Sequence, residues 1–162
     1  MRRSLETIAL FALALTVWIT YRALAGPVRL PDRIPVHFDA AGAANGWGSP
    51  SILLLLPVIA LAIYLMLTVV SLFPVTFNYS VRATEQNRGE LQRIVQRMLL
   101  WMKTELVCLF AVLQWAIIEA ARSGQGHLFP WVVPPFLVLL FGTVGWYIVA
   151  MFRASFGSRV RP

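Results

Sequence analysis

The chain has 162 residues, 59% of them hydrophobic and 13% charged, with a formal net charge of +7 and a mean hydropathy of +0.72. Soluble domains are about 45–50% apolar with about a quarter of their residues charged, so this composition excludes an ordinary soluble domain and points to a membrane protein. The positive charge comes from thirteen arginines and one lysine in short segments beside apolar runs, with no aromatic-interleaved basic patch, which argues against nucleic acid and makes the lipid bilayer the expected partner.

In chain order, Leu5 to Leu24 predicts a first spanning helix. A secretory signal competes for the same stretch: Arg2 and Arg3 form a basic lead, Ile8 to Ile19 an apolar core, and Ala23-Leu24-Ala25-Gly26 a cleavage-like site. Tyr21 and Arg22 sit awkwardly before that site, so the segment is read as a retained span. The loop that follows, 25–50, concentrates prolines, glycines, His37, Asp39 and Trp47 between two greasy runs. Ile34, Val36 and Phe38 alternate with Pro35 and His37, and Asp39 falls on the side of His37, which suits a short extended piece lying on apolar helix ends. Gly42 and Asn45-Gly46 are residue types that accept the positive φ of a chain reversal. Trp47 is an expected anchor at headgroup level, and Ser49-Pro50 reads as an N-cap followed by a first-turn proline. The loop is therefore expected to be compact and structured.

The second span, 51–73, lies within a stretch free of charged side chains from Ser51 to Val81, longer than the ~20 residues a bilayer core requires. Pro57 is expected to free a backbone carbonyl and kink it. In the loop 74–97, PVTFNYSVRAT predicts an extended segment along the membrane interface, and Asn87 with Glu90 has capping-box-like spacing. Leu91, Ile94, Val95, Met98 and Leu99 then recur at helical spacing, with Arg88, Gln92, Arg93 and Gln96 on the other faces. That pattern predicts an amphipathic lead-in to the third span, its basic side towards lipid headgroups. A docking surface for a cytoplasmic partner over 82–97 is the sharper alternative.

The third span, 98–121, contains Lys103, Glu105, Gln114 and Glu119. Charges in a span face the bundle interior or an aqueous cavity. Glu105 and Glu119 differ by only about 40° around the helix and share a face, with Gln114 nearly opposite. They could belong to a proton or ligand path, or sit near the interfaces with Glu105 beside Lys103 or an arginine and Glu119 beside Arg122. Cys108, the single cysteine, falls inside the apolar run and reads as a buried, inert thiol. The fourth span, 131–152, begins in a cluster of Pro130, Pro134 and Pro135, so its regular part is expected near the last two. Gly142 and Gly145 lack GxxxG spacing.

Arg and Lys divide ten against four when the spans alternate, which places both termini and the 74–97 loop in the cytoplasm and the 25–50 loop outside. The expected architecture is an all-α integral membrane protein, a single domain of four transmembrane helices with a structured extracytoplasmic loop between helices 1 and 2.

The stretch LPDRIPVHFDAAGAANGWGS resembles the signature loop of a bacterial membrane-protein family of unknown biochemical role, the module at the N-terminus of the SdpI immunity protein. Leu30, Pro31, Ile34, Pro35, His37, Phe38, Gly42, Gly46, Trp47, Gly48 and Ser49 fill the pattern, while Asp39 stands where asparagine is more familiar and Pro50 where lysine is. Thr84-Glu85 with Asn87, and Leu99 to Lys103, are similar to the next segment of that family. The resemblance implies a multispan protein of the bacterial cytoplasmic membrane, and a shared architecture before a shared task.

Three functions remain open on this reading. The first is a non-enzymatic, SdpI-like protein of the immunity or sensing type, binding a peptide, lipid or envelope partner through His37, Phe38, Asp39, Asn45 and Trp47. The second is a small membrane enzyme or transporter using His37, Asp39 and the glutamates of the third helix. The third is a structural subunit of a larger membrane complex. No cofactor is implied. His37, Asp39 or Asp32, and His127 are the candidates for a metal site.

Overall fold

The computed structural model describes residues 2–73, 81, 83–124 and 126–157. The elements run α1 (Arg2–Ala25), β1 (Ile34–Phe38), β2 (Ala44–Gly48), a 3-10 turn (Pro50–Leu54), α2 (Leu55–Leu72), α3 (Arg88–Ser123) and α4 (Val133–Gly157). Among the described residues, four helices are long and apolar enough to cross a membrane. The chain is a multi-pass membrane protein in composition and in architecture. The 74–80 stretch and Arg82, where the extended interfacial segment is expected, lie outside the described residues.

The helix ends follow from the local sequence. Ser49 caps the 3-10 turn with its side chain accepting from the Ser51 amide, and Pro50 takes the first-turn position. Pro57 is the third residue of α2, so the carbonyl its missing N–H would have met belongs to Leu53 of the 3-10 turn and not to α2 itself. The expected mid-helix disruption is therefore absorbed at the junction between the 3-10 turn and α2. Pro134 and Pro135 likewise occupy the first turn of α4. The amphipathic lead-in and the third span are one continuous helix, and α3 ends at Gly124 with φ +67. Asn87 sits at its N-cap without a side-chain capping bond; instead its Oδ1 accepts from the Thr84 amide at 2.7 Å.

α3 is the axis of the bundle, packed against α1, α2, α4 and β1. Half of its most apolar stretch is buried within the protein, against 6% for α4, which rests on α3 and turns the rest of its surface outward. Apolar helices gain little from burying greasy surface in lipid, so close approach must come from small side chains and interhelical bonds. Ala9 and Ala12 of α1 and Ala111 of α3 supply that approach. The core has three tiers: Ala23, Ile34, Leu53, Ile118 and Ala121 under the hairpin; Ala12, Val107 and Ala111 in the middle; and Leu67, Leu91, Val95, Leu99 and Met151 at the end that carries both termini.

The all-α expectation needs one correction. The 25–50 loop contains an antiparallel two-stranded hairpin, pairing Ile34 with Gly48, Pro35 with Trp47, His37 with Gly46 and Phe38 with Ala44. Its reversal lies at residues 39–43, where Gly42 has φ +87. Asn45 and Gly46 belong to the second strand, and Gly46 does not take the expected positive φ. Gly46 serves close approach instead, since a Cβ there would lie 2.9 Å from the Cβ of His37.

Candidate functional site

The hairpin forms a lid over one end of the bundle. Ile34 is fully buried, and Val36 packs with it on Ala23, Leu53, Ile118 and Ala121 at three helix ends. Pro35 is buried too, so the expected in-out alternation holds only partly. The lid is also stitched to the connection between α3 and α4. The Ala44 amide donates to Gly126 O and the Leu128 amide to Gly42 O, each at 2.8 Å, and Ala43 bridges His127. Residues 126–128 thus act as a third, partial strand. Composition alone gave no sign of this, because a backbone bridge leaves no mark in residue type.

The polar side chains of the lid are committed within it. Asp39 Oδ1 accepts from the Ala41 and Ala43 amides at 2.9 and 3.0 Å, which holds the reversal in an Asx-type turn. His37 Nδ1–H donates to Asn45 Oδ1 across the two strands at 2.5 Å. His127 bridges the lid through its backbone and sets its ring beside Gly42, where a Cβ would come within 3.2 Å of it, while the residue as a whole stays exposed. Among the described residues no three His, Cys, Asp or Glu side chains gather as metal ligands, so His37, Asp39 and His127 are not assembled into the candidate metal site. Phe38 is half-buried. Trp47 lies against Gly126, where a Cβ would come within 3.2 Å of its ring, and remains 47% exposed. Phe129 and Trp131, with ring centroids 5.4 Å apart, are exposed in the adjoining connection.

Beneath the lid, α3 carries buried polar groups at three depths. Gln114 Nε2 donates to Leu53 O at 3.0 Å and to Thr20 Oγ1 at 2.8 Å. Leu53 is four residues before Pro57, so its carbonyl is the one that proline leaves without a helical amide. Gln114 repairs it from another helix. Deeper, Thr143 of α4 donates to Glu105 Oε1 at 2.6 Å. Among the described residues, Glu105 Oε2 and Gln114 Oε1 are buried with no hydrogen-bond partner. Near the termini, Lys103 Nζ donates to Glu6 Oε1 at 2.7 Å and Thr68 Oγ1 at 3.1 Å, and stands 4.6 Å over the Tyr64 ring. The Tyr64 hydroxyl donates to Glu6 Oε2 at 3.2 Å.

Several expected groupings therefore separate. Lys103 pairs with Glu6 of α1, not with Glu105. Glu105 is buried against α4, whereas Glu119 is exposed and makes no ion pair with Arg122 among the described residues. The two glutamates share a helical face, but the neighbouring helices cover only the first. Cys108 is half-buried rather than fully enclosed. Glu6 was the missed partner. It is the sole acidic residue of the first span, and with α1 and α3 running in the same direction it stands level with the sole lysine.

Around the Lys103–Glu6 pair opens a cavity of about 360 Å³ between α1, α2 and α3, with Arg2, Arg93 and Arg97 among its walls. Both ends of the bundle thus present a built feature: an aromatic lid at one, a basic cavity at the other.

No curated protein and no solved structure matches the chain. Residues 7–61 match the family model described as a domain of unknown function, DUF1648. The matched segment runs from α1 through the hairpin to the first turns of α2, so the likeness to that family resides in the lid and the two helices that hold it.

Proposed function

We propose that the protein is a non-enzymatic receptor of the bacterial cytoplasmic membrane, SdpI-like and of the immunity or sensing type. Its lid faces outward and binds a peptide or envelope protein. One observation carries the reading: the lid commits His37, Asn45 and Asp39 to its own frame while displaying Trp47 half-exposed on a strand braced from two sides. A surface already ordered binds without the cost of ordering a loop, and tryptophan anchors dominate many interfaces. The orientation is supported by the bias of Arg and Lys towards the end with both termini. The enzyme or transporter reading has no comparable support, because His37, Asp39, Glu105 and Glu119 each have separate surroundings.

A photo-crosslinking residue at position 47, in native membranes, tests the reading. A defined protein adduct that disappears when the crosslinker is moved to position 138, on the outward face of α4, is expected. Lipid adducts alone would make Trp47 a headgroup anchor and sink the proposal. A single cysteine near Asn45 labelled by an impermeant reagent on intact cells is the expected topology result; labelling near Arg88 instead would reverse it.

A further inference from the structure

The basic cavity is independent of the lid and of its partner. Its walls carry four cations, Arg2, Arg93, Arg97 and Lys103, against one carboxylate, Glu6. Glu6 is already committed: one oxygen accepts from Lys103 and the other from Tyr64. That internal neutralisation leaves three guanidiniums facing a shared space. Arg2 and Arg97 have no acidic partner among the described residues, and Arg93 reaches a carbonyl of its own helix, Gly89 O, at 3.2 Å. Three uncompensated guanidiniums around a concavity favour an anion, and their planar forks suit phosphate oxygens.

The depth of the cavity narrows the choice of anion. Arg2 is the first residue of α1, and Ser71 lies in the last turn of α2. The mouth is therefore level with the helix ends, where headgroup phosphates lie. Leucines of all three helices and Trp101 of α3 line the remainder, an apolar wall suited to the first carbons of an acyl chain. A free phosphate ester would gain nothing from that wall. We propose that the cavity is a binding site for one anionic phospholipid, its phosphate held by Arg2, Arg93 and Arg97 and its glycerol and upper acyl carbons against Leu100 and Trp101. Lys103 and Glu6 also line the site, and their charges cancel.

The test is native mass spectrometry of the full chain released from nanodiscs containing equal amounts of phosphatidylglycerol and phosphatidylcholine. One retained phosphatidylglycerol per chain is expected, preferred over phosphatidylcholine. Arg93→Gln and Arg97→Gln should each cut the preference roughly fivefold, the effect of one cationic contact at a membrane surface. Arg122→Gln, at the lid end, should leave it unchanged. Arg97→Lys, which keeps the charge and the fold, should retain an intermediate preference. Equal retention of the two lipids by the unsubstituted protein, or a preference untouched by R93Q and R97Q, overturns the proposal. Displacement of the lipid by millimolar glycerol 3-phosphate also overturns it, in favour of a soluble phosphate ester.

Discussion

The two ends of the bundle solve opposite problems with similar residues. At the lid end, polar side chains are spent on local geometry: Asp39 on a turn, His37 on Asn45, Gln114 on the carbonyl orphaned by Pro57. At the other end, one salt bridge is sealed inside while three arginines around a cavity have no acidic partner among the described residues. The contrast teaches that exposed or polar is not the mark of a binding surface here. What distinguishes the ends is which groups remain unspent: aromatic rings above, guanidiniums below.

The largest effect should come from breaking the sealed pair. Glu6→Leu leaves the Lys103 ammonium, 3% exposed, with Thr68 as its remaining hydrogen-bond acceptor, and should destabilise the protein by about 3 kcal/mol in chemical unfolding from detergent. Adding Lys103→Met to that variant should restore much of the loss. If the two single effects simply add, the pair is not the unit described here.

Next is Gly42→Ala. The position has φ +87, and a Cβ would run into the Leu128 carbonyl, so the lid should loosen by roughly 2 kcal/mol. Amide exchange should accelerate at Ala44 and Leu128 and stay unchanged around Lys103. Gly142→Ala, where a Cβ meets nothing within 4 Å, is the matched control.

Gln114→Leu should cost about 1–2 kcal/mol, because it leaves the Leu53 carbonyl buried without a donor. The penalty should shrink in the background of Pro57→Ala, which returns an amide to that carbonyl; a penalty of equal size in both backgrounds would refute the repair. Smallest is Arg88→Ala, whose partner Glu85 is 4.0 Å away and exposed. A change within ~0.5 kcal/mol is expected.

Much of the architecture was legible because hydropathy and proline grammar act locally. The four apolar runs, the Ser49-Pro50 start and the proline-marked beginning of α4 each depend on residues within a turn of one another. The lid was legible as a compact structure but not as a hairpin. Its Asn45-Gly46 pair resembled a turn signal, yet the Asp39 side chain captures two amides and moves the reversal upstream. Glu105 and Glu119 were correctly set on one face, but a helical face does not reveal how far the neighbouring helices extend along it. Glu6 escaped notice because its significance depends on a lysine 97 residues away.

The sequence by itself determined four helices long and apolar enough to cross a membrane, with a proline- and glycine-shaped connection between the first two. Both follow from short-range patterns of apolar length, proline and glycine. Only the tertiary structure decided which polar groups are spent and which are free. Hydrogen bonds such as Gln114 to Leu53, or Lys103 to Glu6, join residues brought level by helix direction and packing. Neighbours in the chain carry no information about that alignment.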